Sequence, residues 1–135
     1  MYLPLDATAL QEARDWLARA DEDLQVAELT LRASPSLLGS SAYHCQQAAE
    51  KALKAFLAAH QVPLRLTHDL VELEGQCSAI DASFATLATA AQILTPYATQ
   101  FRYPGGPLAP PTADAEQAFK LSQDVVSLVR GHLGL

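Results

Sequence analysis

The chain has 135 residues, nine Lys plus Arg against fifteen Asp plus Glu, and a formal charge of −6. That length predicts one domain spanning 1–135, and seven acids against three Arg within residues 1–34 argue against a general phosphate-binding surface. No uncharged apolar run approaches the roughly 18 residues of a membrane span, and Met1–Leu10 lacks the basic and apolar regions of an export signal, so a cytoplasmic protein without membrane contact is expected. Cys45 and Cys77 form no C-x-x-C pair, which predicts free thiols.

Ala (25) and Leu (22) far outnumber Val plus Ile (8), so the census predicts an all-α fold. The first helix is predicted from about Thr8 to Arg32, with Thr8 and Gln11 spaced as a capping box and Pro35 beyond its end. Leu10, Leu17, Leu24 and Leu31 recur every seven residues with Ala13, Ala20 and Ala27 between them, a stripe suited to close helix packing and to a homodimer. The second helix is predicted from Ser40 or Ser41 to about His60, ended by Val62-Pro63. Cys45, Ala49, Ala52, Phe56 and Ala59 share one side of it, and Tyr43, Gln46, Gln47, Glu50, Lys51 and Lys54 share the other.

Thr67 is the expected cap of a short third helix that ends near Gly75 and turns Leu70 and Leu73 inward. A fourth segment, from about Ala82 to Arg102 and capped by Asp81 or Ser83, has Phe84, Leu87, Ala91, Leu94, Ala98 and Phe101 in helical register, with a kink predicted at Pro96. After the Pro104-Gly105-Gly106-Pro107 connection, Thr112 opens a last helix that buries Ala115, Ala118, Phe119, Val125, Val126 and Val129 and ends at Gly131. Four long helices and one short one predict an antiparallel four-helix bundle with an additional short helix.

Bundles often hold metals, but the residues three after Glu50, Glu74 and Glu116 are Leu53, Cys77 and Phe119, so the Glu-x-x-His pairs of a carboxylate-bridged iron site are absent. His44, His60, His68 and His132 form no H-x-x-x-H pair, and no G-x-x-x-x-G-K-[ST] loop exists for nucleotide phosphates. No metal and no cofactor are expected.

Three blocks are informative together: Tyr43-His44-Cys45-Gln46-Gln47-Ala48-Ala49-Glu50-Lys51-Ala52-Leu53-Lys54, then Thr67-His68-Asp69-Leu70, then Phe101-Arg102-Tyr103-Pro104. In this order they resemble the HEPN domain family, over roughly residues 10–130. The resemblance implies a helical bundle that dimerises and, in many prokaryotic members, is encoded beside a minimal nucleotidyltransferase in pairs viewed as toxin and antitoxin. Many members are metal-independent ribonucleases built on R-x(4–6)-H, in which Arg stabilises phosphate charge and His moves protons. Arg102 would need His at 107, 108 or 109, and Pro107, Leu108 and Ala109 stand there.

The expectation is therefore a non-catalytic HEPN module that homodimerises and binds a nucleotidyltransferase partner or a nucleotide-like ligand. The alternative is a divergent ribonuclease using His68 and Arg102, with RNA as substrate. Candidate ligand-binding residues are Tyr43, Gln47, Glu50, Lys54, His68, Asp69 and Arg102. For each a plainer role competes: a solvated Glu50–Lys54 pair, a helix start at His68-Asp69, and a helix-end contact for Arg102. Convergence of the three blocks in space separates the two.

Overall fold

The computed structural model describes residues 4–135. Five α-helices follow one another: α1 (Ala7–Arg32), α2 (Leu38–Ala59), α3 (Leu70–Ile80), α4 (Ala88–Leu94) and α5 (Thr112–Leu133). Short 3-10 segments occupy Ala82–Leu87 and Thr95–Ala98, and no strand occurs among the described residues. The fold is all-α.

α1 and α2 pack antiparallel, and α2 also meets α5, α3 and α4. The seam between α1 and α2 is made of small side chains. Ala13, Ala20 and Ala27 of α1 are fully buried, as are Ser41, Ala48 and Ala55, which share one side of α2. The backbones consequently come close enough for the Ser41 hydroxyl of α2 to donate to the Ala27 carbonyl of α1 at 2.8 Å. The alanine edge of the α1 stripe is thus covered inside the protomer, while Leu10, Leu24 and Leu31 remain partly buried. At the other end of α2, Phe56 packs on Phe84 with ring centroids 4.3 Å apart.

Several boundaries differ from the sequence expectation, each for a local reason. α1 is capped by Asp6, whose carboxylate accepts from the Ala9 amide at 3.0 Å, and Thr8 lies inside the helix. α2 begins at Leu38, one turn before Ser41, without a capping side chain, and the Ser41 hydroxyl is engaged across the seam instead. α3 is capped by Asp69 rather than Thr67; the Thr67 hydroxyl accepts from the Asp69 amide at 3.0 Å and the helix runs through Gly75 to Ile80.

The segment from 82 to 102 is not one kinked helix. Asp81 accepts from the Ser83 amide and starts a tight 3-10 turn, α4 then makes under two turns, and Pro96 opens a second 3-10 turn that ends at Ala98. α5 continues past Gly131 to Leu133, where Gly134 takes a left-handed conformation (φ 68°) that only glycine adopts without steric cost.

Candidate functional site

The polar face of α2, a candidate ligand stripe in the sequence, is largely covered. Glu50 and Lys54 are buried beneath the edge of α1 and the 61–69 connection, and Gln46 is fully buried. Burying such groups is tolerable only when their polar atoms are partnered, and they are. One Glu50 oxygen accepts from Lys54 Nζ at 2.9 Å, and the other meets His68 Nδ1 at 2.7 Å and Gln46 Nε2 at 3.2 Å. Gln46 also donates to the His68 carbonyl at 3.0 Å, and Gln47 donates to Gln46 Oε1 at 2.7 Å. This network fixes the Thr67-His68 turn against α2. The His68 side chain itself is 68% exposed, so its ring is held at one nitrogen by a buried carboxylate and otherwise faces solvent.

A second acid lies on the α1 side. Asp23 is buried and takes Lys51 Nζ at 2.6 Å on one oxygen and His44 Nδ1 at 2.8 Å on the other. Lys54 is further covered by the Trp16 ring, with Nζ 5.7 Å from its centroid. Trp16 and Asp23 are seven residues apart on α1, so two successive heptad positions form one polar edge against α2.

Arg102 is placed differently. Its guanidinium lies over the Tyr43 ring at 4.0 Å and 5.8 Å from the Tyr103 ring, and its one hydrogen bond is a long 3.4 Å contact to the Ala98 carbonyl. No carboxylate pairs with it among the described residues. The group borders an open cleft of about 360 Å³ lined by Ser40, Tyr43, His44 and Phe101. The backbone explains the aim of the side chain: Phe101 adopts a left-handed conformation (φ 63°), which reverses the chain directly before Arg102. Gly39 permits the segment to lie so low, since a Cβ there would sit 2.9 Å from the Leu108 carbonyl oxygen and 3.2 Å from Phe101 Cβ.

Of the seven candidate residues, Gln47, Glu50, Lys54 and His68 belong to one network, and Tyr43 with Arg102 forms a second centre. Seven residues along α2 separate Tyr43 from Glu50, about 10 Å on the same face. Asp69 is apart from both, exposed and occupied as the α3 cap through the Val71 amide at 2.9 Å. Lys54 is directed at Glu50 and Trp16 rather than outward. Asp23, His44 and Gln46 were not among the sequence candidates; the seven-residue spacing from Trp16 to Asp23 is the signal that would have found the first.

Among the described residues no cluster of three His, Cys, Asp or Glu side chains is arranged to hold a metal ion, and no helix is long and apolar enough to cross a membrane. Cys45 and Cys77 are free and buried, and burial pushes their thiols up to about 11 and about 12.

The family model of the HEPN domain matches residues 13–132, and the chain belongs to that family. TT1696 from Thermus thermophilus has a similar structure, with a TM-score of 0.76 and 28% identity over 89% of this chain and 97% of that one. ST0689, an archaeal HEPN homologue, shares the fold with a TM-score of 0.74 at 23% identity, covering 90% of this chain and 98% of its own. No curated protein sequence matches the chain.

Proposed function

We propose that this HEPN domain acts by binding: it homodimerises and engages an anionic group of a nucleotidyltransferase partner or of a nucleotide-like ligand, as one half of a toxin–antitoxin-type pair. The observation that carries the reading is Arg102. Lys51 and Lys54 are neutralised by buried acids, whereas Arg102 is held on Tyr43 with no acid pairing it among the described residues, beside an open cleft. Stacking on an aromatic face orients a guanidinium while leaving its planar donors free for an anion. The dimer part is supported by membership of the HEPN family and not by the alanine stripe, whose alanine edge is covered within the protomer. Light scattering at micromolar concentration combined with titration of nucleoside monophosphate tests both parts. A mass of 14.5 kDa refutes the dimer, and binding unchanged by Arg102→Gln refutes the site.

One observation favours the alternative of a divergent ribonuclease. Glu50 holds His68 at Nδ1 and leaves the rest of the ring exposed, an arrangement that orients a proton-transfer group. Incubating the protein with RNA, with and without His68→Ala, decides: cleavage abolished by that substitution establishes the enzyme, and intact RNA favours the binding module.

A further inference from the structure

The Arg102 cleft continues into an apolar groove. Gly39, Ser40 and Phe101 line both, and on the far side the groove is walled by Leu37, Leu108 and Ala109 with a volume of about 180 Å³. Leu37 and Leu108 are exposed, so a single accessible surface carries a cation at one end and aliphatic side chains at the other. We propose that this two-part cleft receives the C-terminal residue of a partner protein, with the chain-end carboxylate on Arg102 and an apolar last side chain in the groove. The proposal rests on reading Arg102 as an anion-binding group and names the partner feature it recognises.

Charge selects the occupant. The cleft offers one uncompensated cation, because the other basic group at its rim, His44, has Nδ1 committed to Asp23, and Asp23 also takes Lys51. A single planar guanidinium matches one carboxylate in bidentate geometry, while a di- or triphosphate would bring more negative charge than one Arg offsets in a molecule already at −6. The apolar half then favours an aliphatic side chain over a sugar or a second charged group, since the wall of Leu37, Leu108 and Ala109 offers no hydrogen-bonding side chain and the only side-chain hydroxyls lining the groove are those of Ser36 and Ser40. Leu135 of the same protomer is not the occupant. Leu135 packs against the core, and its carbonyl accepts from Arg130 at 3.3 Å.

A fluorescein-labelled pentapeptide ending in Leu with a free carboxylate is the probe, read by anisotropy against the protein. Amidation of the peptide terminus and the Arg102→Gln substitution should each weaken binding about tenfold or more, the loss of one charge-assisted pair. Replacing the last Leu by Asp should also weaken it, and Leu108→Ser should act only on the Leu peptide. Adenosine monophosphate in the same assay separates this idea from the reading beneath it. Binding of the nucleotide through Arg102 without binding of the peptide overturns the C-terminus proposal and leaves the anion site standing. Failure of both overturns both, and equal binding of the acid and amide peptides overturns the proposal alone. Circular dichroism of each variant shows whether it is folded, and the amide and Asp peptides keep the test valid on the unaltered protein.

Discussion

Replacing Glu50 by Ala should destabilise the fold far more than an exposed ion pair would. Glu50 is the acceptor for three donors, and its side chain is only 5% exposed. Without it the Lys54 ammonium, itself 10% exposed, is left charged beneath α1 with no acid in reach. Removing one partner of a buried pair costs about 3–5 kcal/mol, a large share of the roughly 5–15 kcal/mol by which domains are stable. His68 adds little to that loss because its exposed ring regains water, and Gln46 keeps the His68 carbonyl as acceptor.

The double replacement Glu50→Leu with Lys54→Met removes both charges and keeps the volume, so it should return to within about 1.5 kcal/mol of the natural sequence. Lys120→Ala, at the exposed pair with Asp124, should change stability by less than about 0.5 kcal/mol. Urea unfolding at one fixed protein concentration, followed by fluorescence of Trp16, the chain's single tryptophan, measures all three. A cost below about 1 kcal/mol for Glu50→Ala, or a double variant as unstable as the single one, refutes the account of this pair as a buried, mutually dependent unit.

Gly39→Ala should lift the 99–110 segment from α2, costing about 1–3 kcal/mol by overpacking and weakening any ligand held by Arg102; an unchanged melting temperature would show that the Leu108 backbone moves aside freely. Both thiols should resist iodoacetamide near pH 8 in the native protein and react in urea, and native alkylation would contradict their burial. Because folding raises the thiol values from 9.0 to about 11 and about 12, their contribution is fully present below pH 9.0 and is lost as pH rises through the native values. A urea midpoint that falls progressively above pH 9.0 is the expected result, and a flat alkaline limb speaks against it. Duplex DNA should bind weakly at about 0.15 M salt, given a net charge of −6, and sub-micromolar affinity in a filter-binding assay would overturn that charge argument.

Helix identity was legible from the sequence because the apolar periodicity is long and regular: Cys45, Ala49, Ala52, Phe56 and Ala59 are all buried on α2, as are the six residues expected inward on α5. Helix ends were harder. Asp6, Asp69 and Asp81 compete with neighbouring Thr and Ser for the same amides, and only the entering direction of the chain decides which side chain reaches them. The 67–70 block meets α2 at Glu50 and the 101–104 block meets it at Tyr43, two centres rather than one groove, and the burial of Glu50 and Lys54 was not readable, since two charged residues one turn apart look the same on a solvated helix. What covers them, Trp16 and the His68 turn, comes from segments distant in the chain. Arg102 stands four residues past the second 3-10 turn rather than at the end of one long helix, yet it still reaches that turn's last carbonyl, Ala98; the left-handed Phe101 turns the chain just before it, and a bulky aromatic residue gives no sign of that conformation.

The alanine seam between α1 and α2 also decides where this protein loses side-chain freedom on folding. Alanine has no rotamers to surrender, whereas Lys, Glu and Gln each give up as much as about 1.5–2 kcal/mol of side-chain entropy when immobilised. The helix pair therefore associates along an edge that orders almost nothing beyond the backbone. The ordering falls instead on Gln46, Glu50, Lys51 and Lys54, the side chains that shape the polar face. The cost of ordering those side chains is therefore part of folding and not of any later binding event.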